Sequence, residues 1–220
     1  MRRLFLFALL VPSVLIAQPL LVNKTSDFTI TGKGDAKEWK KAEWLTLTHR
    51  EGKKNYETKV KLMYSDSGVY CLFQNADDKI TSTMNQDYLD LWKEDVNEIF
   101  FWTDEKVPIY FEYEISPMNY ELPILVPNIN GKFLGWRPWH YFGNRVIRHA
   151  TNIQPNEWTS EFFIPYKIFD PLTNVPPKKG TTWRCNIYRI DHDDGPSEWS
   201  WQPVRTNFHD FEKFGVIKFN

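Results

Sequence analysis

The stretch Lys59-Val-Lys-Leu-Met-Tyr64 places Val60, Leu62 and Tyr64 on one side and Lys59, Lys61 and Met63 on the other. A period of two belongs to a strand with one face against a core, and it recurs through most of this chain. Ser65-Asp-Ser-Gly68 follows as a turn, and Val69–Gln74 is expected to return as the second strand of a hairpin. Further strands are expected at residues 98–102 and 109–115, joined by the polar turn 103–106, and at 145–150, 157–164, 183–190 and 214–219. A short strand at 28–30 would be closed by Gly32 and Gly34. Only residues 36–42, capped by Asp35 with Trp39 facing inward, read as a helical turn. Many short strands and almost no helix leave an all-β sandwich or barrel. Trp39, Trp158, Trp183, Trp199 and Trp201 are expected to pack in it.

Residues 116–144 break the pattern. Pro117, Pro123, Pro127, Gly131, Gly135, Pro138 and Gly143 read as one long irregular loop. Its Trp136, Trp139, Tyr141 and Phe142 argue for order, and the two tryptophans either roof a site or pin the loop.

The N-terminus has the three-part layout of a secretory signal peptide over residues 1–17, with cleavage after Ala17. The apolar run is too short to span a bilayer. The expected product is a secreted or periplasmic single domain, residues 18–220. Residues 1–17 carry two arginines and no acid, so the formal charge of −1 becomes −3 without them. That balance excludes an electrostatic footprint for nucleic acid or an anionic membrane. Cys71 and Cys185 both lie in strand-like runs without metal-ligand spacing, so either a disulfide or two buried thiols fits.

The segment Leu91-Trp-Lys-Glu-Asp-Val-Asn-Glu-Ile-Phe-Phe-Trp102 carries most of the chemistry. Strand parity puts Val96, Glu98, Phe100 and Trp102 on one face and Asn97, Ile99 and Phe101 on the other. In the next strand Tyr110, Glu112 and Glu114 share a face, so Glu98 lies across from Glu112 or Glu114, or one place off both. Like charges directly opposite are unfavourable. The acids therefore need an arginine such as Arg145, Arg148, Arg184 or Arg189, a cation, or a hydroxyl-rich ligand. A sugar-binding face and a small glycoside hydrolase using Glu98 with Glu112 or Glu114 both follow from such a cluster. A haem-binding redox sandwich is a third option, with Met63, Met84 and Met118 as candidate ligands. Glu94 and Asp95 are expected only to shape the approach to the strand, and His192 to lie in a solvated loop.

The order of motifs resembles carbohydrate-binding module family 9. Asp27-Phe-Thr-Ile-Thr-Gly32 with Asp35-Ala36-x-x-Trp39-x-x-Ala42 is similar to its opening, and Tyr64-Ser-Asp-Ser-Gly-Val-Tyr70 to its first hairpin. Trp92-Lys-Glu-Asp95-Val-Asn-Glu98-Ile-Phe100 resembles its most characteristic segment, and Tyr113-Glu-Ile-Ser-Pro-Met-Asn119 the strand after it. Trp158-Thr-Ser-Glu-Phe-Phe-Ile-Pro165, Trp183-Arg-Cys-Asn-Ile-Tyr-Arg189 and Phe208-His-Asp-x-x-x-Phe214-Gly215 follow in the family's order, so the resemblance covers residues 27–219.

It implies an antiparallel two-sheet β-sandwich, of immunoglobulin-like or jelly-roll type, that binds a sugar or glycan end between two aromatic rings. Trp92 matches the first ring and Phe208 stands where the family has a second tryptophan. Glu98 matches the family's strand acid, and Glu114 stands where some members have a basic residue. Asn207 is expected to add a hydrogen bond. The resemblance also implies structural calcium, for which Asp77, Asp78, Asp191, Asp193 and Asp194 offer hard oxygen ligands. The implied function is that of an exported, monomeric, non-catalytic binder of mono-, oligo- or polysaccharide in polysaccharide degradation.

Overall fold

In a computed structural model, the structure describes residues 18–130, 132–143 and 145–220. The expected signal peptide lies outside the described residues. In chain order the strands are β1 (Leu20–Lys24), β2 (Leu45–Thr46), β3 (Thr48–Glu51), β4 (Thr58–Tyr64), β5 (Gly68–Ala76), β6 (Val96–Trp102), β7 (Ile109–Ile115) and β8 (Glu121–Ile129). They continue with β9 (Lys132–Phe133), β10 (Arg137–Pro138), β11 (Arg148–Gln154), β12 (Glu157–Pro165), β13 (Thr182–Asp191), β14 (Ser197–Ser200) and β15 (Gly215–Phe219).

The neighbours run β10-β8-β7-β6-β13-β15-β1 in one sheet and β1-β4-β5-β12-β11 in the other. Phe101, Phe111, Tyr113 and Ile187 of the first sheet pack against Val60, Leu62, Phe73 and Phe162 of the second. This is the core of an all-β sandwich, and each such side chain contributes about 1.5–3 kcal/mol by leaving water. Cys71 and Cys185 are free thiols within it.

The strand pairing is not wholly antiparallel. Leu20–Val22 of β1 pair in parallel with Ile217–Phe219 of β15, and Asn23–Lys24 with Met63–Tyr64 of β4. β1 thus belongs to both layers.

Three expectations need correction. Phe28–Ile30 is not a strand. Its backbone is held by side chains instead: Phe28 N–H donates to the Tyr70 hydroxyl (3.2 Å), and Thr31 N–H to Glu161 Oε2 (2.9 Å). The expected strand at 145–150 is shifted to Arg148–Gln154, because all seven of its residues pair with β12.

The third correction is the largest. Residues 116–144 are not one irregular loop, because they contain the nine-residue strand β8, along with β9 and β10. Pro123 and Pro127 are tolerated because of the side they face. Their carbonyls accept from Trp139 N–H (2.7 Å) and Leu134 N–H (3.1 Å) on the side away from β7. A strand residue's N–H and C=O point the same way, so both missing donors fall on the edge and the ladder to β7 stays whole.

Candidate functional site

The outer face of the first sheet carries a second apolar cluster, which includes Val96, Phe100, Tyr110, Ile124, Tyr188 and Phe208. A cleft of about 290 Å³ opens above it. Its floor is Glu98 and Phe100 of β6, Glu112 and Glu114 of β7, Ile124 of β8 and Ile190 of β13. Trp92 stands at one wall, Phe133 and Trp136 at another, and residues 206–209 at a third. Arg50, Glu51 and Glu198 complete the lining.

All five residues singled out from the sequence, Trp92, Glu98, Glu114, Asn207 and Phe208, line this one cleft. Trp92 sits on the short 3₁₀ turn Leu91–Lys93 just before β6 and is 40% exposed. Its backbone N–H donates to Glu114 Oε2 (3.1 Å), so the wall is tied to the floor. Phe208 is 9% exposed, because its ring lies flat on Tyr188, with centroids 4.0 Å apart and planes 8° apart. One face of that ring is therefore already covered. Asn207 is exposed and its Oδ1 accepts from His209 N–H (2.9 Å).

The register places Glu98 opposite Glu114, with Glu112 opposite Phe100. Between them the three glutamates receive one hydrogen bond from a described donor other than a carboxyl, that of Trp92. Glu112 Oε2 is buried without a hydrogen-bond partner among the described residues. Burial pushes the Glu112 carboxyl up to about 8. Burial, and then the neighbouring acids, push Glu98 and Glu114 well above the carboxylate range. Arg50 does not relieve them, because it pairs with Glu198 and Glu51 and reaches the carbonyl of Thr206. His209 Nδ1 lies 3.8 Å from Glu112, but burial lowers its pKa to about 4 and it shares a hydrogen bond with the Tyr110 hydroxyl (2.7 Å).

Glu94 and Asp95 brace the neighbouring loop. Glu94 Oε2 accepts from Met84 N–H (3.0 Å), and Asp95 accepts from Thr81 N–H (2.5 Å) and His192 N–H (2.7 Å). His192 is half-buried there rather than fully solvated. The two loop tryptophans divide the roles foreseen for them. Trp136 lines the cleft, while Trp139 packs on the central core and donates to the Ile168 carbonyl (2.8 Å). Phe133, 39% exposed and stacked on His209 at 4.1 Å, went unrecognised in the sequence, as did Arg50 and Glu198. β9 is too short and polar to signal itself, and nothing local ties Arg50 to Glu198.

Of the five loop acids, the structure gathers Asp77, Asp191 and Asp193, whose ligand oxygens lie within 4.8 Å of one another. Asp78 instead accepts from the Tyr56 hydroxyl (3.1 Å), and Asp194 pairs with Lys54 (3.5 Å). Arg189, fully buried, reaches both Asp77 (3.0 Å) and Asp191 (2.5 Å). One guanidinium against three buried carboxyls leaves negative charge over, and the all-oxygen donor set fits a hard divalent cation. Met63, Met84 and Met118 lie apart: the first under the outer face of the second sheet, the second beside the cleft cluster, the third 49% exposed.

Solved structures with a similar fold include three sugar-related proteins. A carbohydrate-binding module family 9 protein from Caldicellulosiruptor kristjanssonii, solved in complex with cellotriose, is 18% identical with TM-score 0.69, over 92% of this chain and 94% of that one. A family 9 module from the same organism in complex with glucose is 18% identical with TM-score 0.68, over 92% and 96%. A candidate carbohydrate-binding protein from Bacteroides uniformis is 16% identical with TM-score 0.74, over 92% and 99%. No curated protein sequence matches the chain. The family described as carbohydrate family 9 binding domain-like matches residues 30–220, and the chain belongs to it.

Proposed function

We propose that this protein is an exported, non-catalytic, monomeric carbohydrate-binding protein acting in polysaccharide degradation. The observation that carries the reading is the cleft itself. An exposed indole, Trp92, stands beside a floor of hydrogen-bonding carboxyls, which suits a ring with one apolar face and an edge of hydroxyls. The ring stacks on Trp92, and Glu98, Glu114 and Asn207 take its hydroxyls. Phe208 supports the far wall, where Phe133 and Trp136 add open aromatic surface. A neutral carboxyl both donates and accepts, as a hydroxyl does, so the raised glutamate pKa values suit this ligand.

Catalysis by these acids is disfavoured. A hydrolase keeps one carboxyl ionised while its partner holds a proton. Here burial pushes Glu98, Glu112 and Glu114 up together.

Calorimetric titration of residues 18–220 with glucose and cellotriose, in parallel with Trp92→Ala, tests the reading. The expected affinity is roughly micromolar to millimolar, because the cleft is small. Trp92→Ala is expected to weaken it by about tenfold or more. Binding unchanged in the variant would move the site elsewhere.

Asp77, Asp191 and Asp193 would hold the calcium ion, which would offset their charge behind the Trp92 loop. Titration with calcium after chelator treatment is then expected to raise the melting temperature. An unchanged temperature would leave Arg189 as the only counter-charge among the described residues.

A further inference from the structure

The cleft is far more acidic than a neutral sugar requires. Glu98, Glu112, Glu114, Glu51 and Glu198 all line it, against Arg50 alone. Arg50 is committed to Glu198 and Glu51 at the rim. Lys93 is turned to Asp90 (2.5 Å), and Arg189 lies on the opposite face of its strand. Tyr110 and His209 satisfy each other. The glutamates on the floor are therefore left without a cation among the described residues, and buried Glu112 Oε2 has no hydrogen-bond partner among them. Their oxygens do not form a close set like that of Asp77, Asp191 and Asp193, so the floor suits a group carried on a larger molecule better than a bare ion. Around it stand Trp92, Phe100, Phe133 and Trp136. Carboxylates within an aromatic surround are the chemistry that recognises an organic ammonium ion.

We propose that the cleft prefers a sugar bearing a free primary amine, with the ammonium seated against Glu98, Glu112 and Glu114 and the ring on Trp92. This deepens the sugar-binding reading and rests on it. The ammonium supplies the charge the floor lacks and donates to Glu112 Oε2. Burial holds the Glu112 carboxyl up to about 8, so seating a cation beside it near pH 6 displaces a proton into solvent.

The test compares glucosamine, glucose and N-acetylglucosamine by calorimetry near pH 6, in two buffers of different ionisation heat. Glucosamine is expected to bind about tenfold more tightly than glucose, the difference between a charge-assisted and a neutral hydrogen bond. It is expected to release protons where glucose does not, and N-acetylation should erase the preference without any change to the protein. In Glu112→Gln, which keeps the side-chain shape, the glucosamine-to-glucose ratio should fall towards one. Equal affinity for glucosamine and glucose would overturn the proposal and leave sugar binding standing. Binding of none of the three sugars by folded protein would overturn both.

Discussion

Two buried acid clusters lie on opposite faces of the same sheet, and they are treated differently. On the core side, Asp77, Asp191 and Asp193, with Asp95 nearby, are met by donors: Arg189, the Trp158 indole, the hydroxyls of Tyr56 and Thr81, and the backbone N–H groups of Lys79, Thr81, His192 and Asp193. On the outer side, Glu98, Glu112 and Glu114 are met by one backbone N–H. Burial drives Asp77, Asp95 and Asp191 upward as it does the glutamates, with Asp77 at about 6 and Asp95 at about 7 against about 8 for Glu112. A buried carboxyl given donors is architecture. One left without them, at the bottom of a cleft, is a demand on whatever enters.

The strongest way to break the contrast is Arg189→Met. Removing the single guanidinium strands Asp77 and Asp191, and the expected loss is about 3–5 kcal/mol in urea unfolding. A loss below about 1 kcal/mol would mean that something else balances the aspartates.

A smaller effect should come from the glutamates, with the opposite sign. The folded state holds the Glu112 proton up to about 8, while the unfolded chain loses it near 4.5. The native state thus binds more protons across that window, so stability is fullest below it and falls as pH rises through it. Asp77 and Asp95 act in the same direction but finish sooner, at about 6 and about 7. The last part of the decline therefore belongs to the cleft. Glu112→Gln should flatten that last part, by about 1 kcal/mol over the final pH unit below about 8. Parallel curves for parent and variant would show that Glu112 is not strained in the fold. The least effect is expected from Asp78→Asn and Asp194→Asn, within about 0.5 kcal/mol, because both lie outside the gathered set. A larger loss would widen the aspartate cluster to include them.

Much of the fold was legible because parity is a strict rule. The faces read for residues 96–102 and 109–115 are the faces observed, and Trp39, Trp158, Trp183 and Trp199 are buried. Strand register was not legible, since Glu98 could have met either acid, and only the pairing across the 103–106 turn decides for Glu114. The edge strand β8 was hidden by Pro123 and Pro127, whose tolerance depends on which side of the strand faces a neighbour, a fact no local pattern carries. In the cleft, residues borne on long strand runs or strong motifs could be named beforehand. Arg50, Phe133 and Glu198 arrive from three separate elements and meet only in three dimensions.

The placement of β1 has a kinetic consequence. Leu20 pairs with Ile217, and the next residues along the same strand pair with β4. The two layers are therefore joined by a strand with one partner, β4, near it in the chain and the other, β15, at the chain's far end. Contacts so distant in the chain close slowly, after the loop entropy between them has been overcome. Until β15 has been made, β1 lacks half of its pairing and the seam between the layers stays open. The seam between the layers is therefore expected to be the last part of this fold to close.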